Sequence, residues 1–231
     1  MGQAEIIVKG IHLVAGSNIS HAEDATAFVI EFKDELVMID SGVGRSVPVI
    51  LNNIRSAGLD PRKISTLILT HCHIDHIGGA GAIREQTGCR IVVHELDADA
   101  VATGDPSKTA AGWYGRKLTP LPVDYRLAGS LETLHFGDEA LHCLHTPGHT
   151  PGSISVYLDR DDQCVLFGQD IHGPFHPAFG SEINLWVTSM HRLLALEADI
   201  LCEGHFGIFR TKEMVRKYIQ RYLKEYEQFP P

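Results

Sequence analysis

Ile64-Ser65-Thr66-Leu67-Ile68-Leu69-Thr70-His71-Cys72-His73-Ile74-Asp75-His76 runs from a compact apolar stretch directly into three imidazoles and a carboxylate. Residues 64–69 have the length and composition of a buried strand. The polar residues that follow would be poorly satisfied if packed together at the edge of a core, and that costs free energy. A divalent cation resolves the conflict, because imidazole and carboxylate are good ligands for zinc, iron and similar ions. His71 and His73, two residues apart, can point the same way in an extended segment. Asp75 and His76 are adjacent and more readily serve a second position, so the spacing suggests two metals.

Outward from this stretch, short β-branched runs alternate with helical patterns. Residues 6–14, 27–32 and 36–39 read as strands, the last ending on Asp40-Ser41-Gly42. Residues 46–57 carry Val47, Ile50, Leu51 and Ile54 at helical spacing and stop at Gly58. A helix over 77–87 and a strand over 90–93 follow the histidine cluster. Residues 103–123 hold several Gly and Pro among Trp113 and Tyr114, and read as a long irregular loop of the kind that lines sites. Strands are expected over 125–127, 131–136, 139–145, 153–158 and 165–168. Another Pro, Gly and aromatic loop covers 172–183, followed by a helix over 187–197, a strand over 200–202 and an amphipathic helix over 212–229. Nothing in the composition marks a linker, so residues 1–231 read as a single domain.

A strand ends at Asp40 and the next at His71; later, a strand ends at Asp170 and the next at His205. The two intervals, 31 and 35 residues, are close. They fit two similar halves with polar residues at strand ends, where ligands gather in α/β sheets. They equally fit coincidence in any alternating chain.

The net charge of −9 argues against a nucleic-acid partner, whose phosphates demand clustered Lys and Arg. Five cysteines without Cys-x-x-Cys spacing read as reduced thiols. The amino terminus lacks a secretory pattern, and Ile6 stands where a myristoylation motif after Gly2 wants Ser or Thr. No apolar run approaches the ~20 residues of a membrane-spanning helix. A cytoplasmic protein with a small-molecule substrate and no membrane partner is expected. A homodimer is possible, but the sequence leaves the oligomeric state open.

Three further segments extend the ligand set. His149 sits in the Pro/Gly-flanked turn His145-Thr146-Pro147-Gly148-His149-Thr150-Pro151-Gly152, Asp170 ends the run Phe167-Gly168-Gln169-Asp170, and His205 ends Cys202-Glu203-Gly204-His205. With Asp40 and the His71-x-His73-x-Asp75-His76 motif, their order resembles the metallo-β-lactamase fold superfamily from Asp40 through His205. The resemblance implies an α/β fold (α+β in some schemes), a four-layer αββα sandwich. It further implies that His71, His73 and His149 bind one metal and Asp75, His76 and His205 a second, with Asp170 bridging and Asp40 orienting ligands from behind. Zinc is the default, with iron or manganese as substitutes.

On this resemblance the expected chemistry is hydrolysis of an ester-like bond (a thioester, lactone or related small substrate) by a metal-bridging hydroxide, with Asp75 and Asp170 as catalytic carboxylates. The bridging Asp170 disfavours true β-lactamases, and the motif looks closest to glyoxalase II-like thioesterases and related lactonases. With 26 residues after His205, the glutathione-binding extension of glyoxalase II is expected to be largely missing. Two rival classes remain: a mononuclear iron oxygenase resembling persulfide dioxygenases, using His71, His149 and Asp170, and a non-catalytic metal-binding module. The substrate pocket is expected around Trp113, Tyr114, His172 and Phe175, with His176 and Phe179 nearby. The remaining histidines (His12, His21, His94, His135, His142, His145 and His191) read as structural or exposed.

Overall fold

The computed structural model describes residues 3–228; Met1 and Gly2 of the terminus read for targeting motifs, and Phe229 of the expected last helix, lie outside them. Thirteen strands and six α-helices are arranged in order among these residues. The first sheet holds β1 (Glu5–Val8), β2 (Ile11–Ala15), β3 (Ala27–Glu31), β4 (Leu36–Ile39), β5 (Ile64–Ile68), β6 (Arg90–His94) and β7 (Tyr125–Leu127), in that spatial order. The second holds β8 (Leu131–Phe136), β9 (Glu139–His145), β10 (Ile154–Arg160), β11 (Gln163–Gln169), β12 (Ile200–Glu203) and β13 (Ile208–Arg210). The helices are α1 (Val47–Ser56), α2 (Ile74–Ile77), α3 (Ala80–Thr87), α4 (Glu95–Thr103), α5 (Ile183–Ala195) and α6 (Lys212–Gln228).

Period-two side-chain alternation explains why strands such as β3 and β4 are apolar at nearly every position. Phe28, Ile30, Val37, Ile39 and Ile68 face the second sheet, where they pack on Val156, Val165 and Phe167. Their neighbours Val29, Leu36, Met38 and Leu67 point the other way, against Ile50 and Ile54 of α1 and Ile83 of α3. On the far side of the second sheet, Leu166 and Leu201 meet Trp186 and Met190 of α5 and Ile219 of α6. Three apolar layers therefore separate helix, sheet, sheet and helix, which makes an αββα sandwich.

Several elements depart from the sequence reading. The strand expected over 6–14 is two strands, β1 and β2, paired antiparallel with Val8 opposite Ile11. Gly10, at φ +74°, supplies the left-handed turn that an unbroken strand lacks. Helix α4 stands where no element was expected; the His94 side chain accepts from Leu96 N at its start and Gly104 ends it. Residues 111–114 form a 3-10 turn within the long loop. The helix expected over 77–87 is split into α2 and α3. Helix α5 begins earlier, at Ile183, capped by the Glu182 carboxylate, and β13 was not foreseen. No helix among the described residues is long and apolar enough to cross a membrane.

The topology places the polar strand ends together. β4 and β5 are parallel, as are β11 and β12, and each pair is joined through a helix. Asp40, Thr70, Asp170 and Gly204 thus all leave the same kind of strand end, as ligand sites in α/β sheets do.

Candidate metal centre

The chain beyond β5 bends through His71 and reaches His73 in extended form, and the single turn of α2, which His73 precedes, swings Asp75 and His76 to a separate place. The Pro147-Gly148 turn brings His149 across from the second sheet. Two groups of converging side chains result: His71, His73, His149 and Asp170 in one, and Asp75, His76 and His205 in the other, with ligand atoms in each within 4.8 Å of one another.

Asp170 stands between them. Its Oδ2 lies 3.5 Å from His149 Nε2 and 3.9 Å from His71 Nε2, whereas its Oδ1 lies 3.1 Å from His76 Nε2 and 3.3 Å from His205 Nε2. His205 Nε2 is also 3.3 Å from Asp75 Oδ2. Each carboxylate oxygen of Asp170 therefore serves one group of histidines.

Apart from a 2.8 Å hydrogen bond between His73 Nδ1 and His149 Nε2, these groups do little to satisfy one another. His71 Nε2, His73 Nε2, His76 Nε2 and Asp170 Oδ1 are buried without a hydrogen-bond partner among the described residues. His76 Nε2 and Asp170 Oδ1 are close but do not meet in hydrogen-bond geometry. Buried lone pairs and carboxylate oxygens converging in this way are what divalent ions satisfy.

The electrostatics of the two groups differ. Burial drives His71, His73 and His149 below the ordinary imidazole range, and neighbouring rings reinforce the effect on His71 and His73. Neutral rings keep lone pairs for a metal. Burial is again the largest single influence on His76 and His205, but the carboxylates around them, Asp170 foremost, together outweigh it in both. His76, with Asp40 and Asp75 adding, is held well above its usual value, and His205 rises to about 10. Burial would raise Asp170, yet His76 and His205 hold its carboxyl well below the usual range. The second group thus sits in a field that retains positive charge, which suits a cation.

Behind the ligands, Asp40 is fully buried at φ +56°. It accepts from Thr70 N at 2.9 Å, Thr70 Oγ1 at 2.8 Å and His76 Nδ1 at 2.7 Å. The last bond commits Nδ1 and turns Nε2 toward Asp170, as outer carboxylates do for metal-binding imidazoles. The Pro174 carbonyl plays the same part for His149 Nδ1 at 2.7 Å.

Two buried carboxylates next to the candidate ligands, Asp97 and Glu203, escaped the sequence reading. Asp97, in the unforeseen α4, accepts from Cys72 N at 3.0 Å, Thr150 Oγ1 at 2.7 Å and Gly152 N at 2.8 Å, tying the His71–His73 segment to the His149 turn. Nothing local in the sequence signals this. Glu203 accepts from His205 N at 2.7 Å and Phe206 N at 2.8 Å, and pairs with His172 Nδ1 at 2.6 Å. Its place at a strand end beside His205 is the one clue the sequence offers.

A cleft of about 330 Å³ opens over Asp75, His149, Asp170 and His205. Trp113, Tyr114 and His172 line it, as do Phe179, Pro174 and Phe206. Phe175 does not. It packs edge to face against Trp186 and Tyr226, with centroids 5.3 and 4.7 Å away. His176 is also outside the cleft lining; it stands 5.3 Å from the Trp113 ring and caps the 3-10 turn that presents Phe179.

Comparison with known proteins agrees with this geometry. The model of the metallo-beta-lactamase superfamily matches residues 22–205. A probable metallo-hydrolase of Bacillus subtilis, YqgX, is 32% identical over 78% of this chain and 84% of its own length. The acyl-coenzyme A thioesterase MBLAC2 of Homo sapiens is 28% identical over 83% of this chain and 76% of its own. Among solved structures, a metallo-beta-lactamase from Cronobacter sakazakii superposes with a TM-score of 0.86 at 22% identity, covering 99% of this chain and 96% of the other, a likeness of fold. The chain belongs to the metallo-beta-lactamase superfamily. Within it, the chain is a metallo-hydrolase whose converging His and Asp side chains suit divalent metal.

Proposed function

We propose that this chain is a two-metal hydrolase of the glyoxalase II-like kind that cleaves a small thioester, ester or lactone. The observation that carries the reading is the stance of Asp170, one oxygen toward each histidine group. His71, His73 and His149 would hold one ion and Asp75, His76 and His205 the other, with Asp170 shared and zinc the natural choice for such ligands. When bound, such a pair supplies Lewis acidity and a nucleophile from water at neutral pH.

The chain's own residues do the rest. Asp75, beside His205 on the cleft floor, accepts a hydrogen bond from the attacking water and orients it. Overall, the water oxygen bonds to the acyl carbon and the carbon–sulfur or carbon–oxygen bond breaks. The thiol or alcohol leaves with one proton, and the new carboxylic acid releases another. Asp40 and the Pro174 carbonyl hold His76 and His149 in place throughout.

The similarity to an acyl-coenzyme A thioesterase supports a thioester among the possible substrates. The presence of a second converging group, Asp75, His76 and His205, favours this reading over a mononuclear iron oxygenase. Metal analysis and a panel of thioesters, esters and lactones test it. We expect two zinc ions per chain, measurable turnover, and activity at background in Asp170→Ala and His73→Ala with the fold retained. Full activity of either variant at matched metal content would overturn the assignment. One iron per chain with oxygen uptake on a persulfide would replace it by the oxygenase.

A further inference from the structure

His205 and Phe206 face two cavities. On one side is the 330 Å³ cleft under Trp113; on the other is a cavity of about 430 Å³ beside the Gly16–Ile19 turn. Both are within the range of small-molecule sites, ~300–1,000 Å³. Because the same two residues line both, the cavities are neighbours across one dividing wall, and that wall carries a candidate metal ligand.

The two sides differ in chemistry. Trp113 and Phe206 are 61% and 58% exposed, unusual for large apolar side chains, and with Phe179 they build a ring-lined surface in the first cavity. No Lys or Arg is among its described lining residues. Away from the dividing wall, the second cavity sets Ser17, Asn18 and Thr26 among Leu13, Ile19 and Ile208, with Arg210 and Glu5 adding one charge of each sign. Such a wall favours a hydrogen-bonding group over one of high net charge.

We propose that Phe206 and His205 divide a two-lobed substrate site, in which the lobe under Trp113 takes an apolar acyl chain and the lobe beside Asn18 takes an amide- or hydroxyl-bearing leaving group. The proposal rests on the hydrolase reading and narrows it: the substrate joins an apolar acyl group to a polar, largely uncharged thiol or alcohol. The bond to be cut then lies at the wall, where His205 and Asp170 stand.

Thioesters that vary the two halves separately test this. Acetyl, butyryl and hexanoyl thioesters of N-acetylcysteamine (amide-bearing) are compared with those of pentanethiol, on the zinc-loaded protein. We expect kcat/KM to rise up to about fourfold per methylene buried, until the lobe fills. The amide-bearing series should be favoured by ~2–10-fold, the worth of one net hydrogen bond. Trp113→Ala should flatten the acyl series while sparing the leaving-group ratio, and Asn18→Ala should do the reverse. Calorimetry of acetate, butyrate, hexanoate and N-acetylcysteamine gives a readout independent of turnover: affinity should grow with chain length in the wild type and not in Trp113→Ala, and Asn18→Ala should weaken N-acetylcysteamine alone. Hydrolysis without dependence on either half, or variants that slow every substrate equally, overturns the two-lobed site and leaves the hydrolase reading standing. If no thioester, ester or lactone is cleaved, the hydrolase reading falls, and the calorimetric series alone upholds or overturns the lobes.

Discussion

Asp97 holds a buried carboxylate that touches neither group of candidate metal ligands yet joins the segments that carry them. Burial pushes its carboxyl up from the ordinary range, although Thr150, Gly152 and Cys72 all pull it down. Keeping a group in so unfavourable a place is characteristic of functional sites. Asp97→Ala would leave the Cys72 and Gly152 N–H groups without acceptors, while Thr150 can still turn to Ser153 Oγ at 2.8 Å. At ~1–3 kcal/mol for each of the two orphaned donors, a loss of ~2–6 kcal/mol is expected in denaturant unfolding. Metal affinity should fall ~10–100-fold, as for other outer-shell changes. A variant within 1 kcal/mol and with unchanged metal affinity would show that the strap carries nothing. This residue also marks the limit of what the sequence reveals. His71, His73, Asp75 and His76 are legible because so many ligands cannot crowd together by chance packing. An Asp three residues past a strand looks like any solvated helix position, and only the tertiary fold shows what it binds.

At the scale of elements, the His149 turn depends on how closely it approaches α5. Gly148 has φ +144°, and a Cβ there would lie 2.3 Å from Trp186 Cβ and 2.5 Å from Trp186 Cα. No flexible side chain can move aside, because the contact includes helix backbone. Gly148→Ala should therefore displace His149, with a stability loss above about 3 kcal/mol by unfolding and weakened metal binding at the first group. Wild-type stability with intact metal content would refute that account. Long or strongly apolar elements such as α1, β5 and α6 can be read from the sequence, since burial leaves a period. Helix α4 cannot, because Ala98, Ala100 and Val101 make a weak stripe and its cap is a histidine rather than Ser, Thr, Asp or Asn. The β1–β2 turn is hidden for a related reason: Lys9-Gly10 is short, and apolar residues continue on both sides of it.

For the whole molecule, two parallel strand–helix–strand passages, one per sheet, bring Asp40, Asp75 and Asp170 into a buried region together with four buried imidazoles, His205 standing at its more open edge. The pairing of Asp40 with His71 and of Asp170 with His205, visible in the sequence as two similar intervals, becomes in space a shared rim of two sheets. The fold alone leaves this rim with unsatisfied nitrogens and a carboxylate oxygen, so it stores free energy that bound cations release. Metal should therefore stabilise the entire sandwich, because the ligands come from both sheets and unfolding either one disperses them. A ligand present at 1,000 times its dissociation constant adds ~4.1 kcal/mol to stability. For a chain of this size, each kcal/mol moves Tm by ~2–4 °C. Chelation that strips the metal should thus lower Tm by roughly 8–16 °C from a start at such saturation, and re-addition of zinc should restore it. Asp170→Ala, which removes the group shared by both histidine sets, should show little zinc-dependent shift. An unchanged Tm after metal is shown to be gone would mean that the rim is satisfied without it, and the two-metal reading would lose its physical basis.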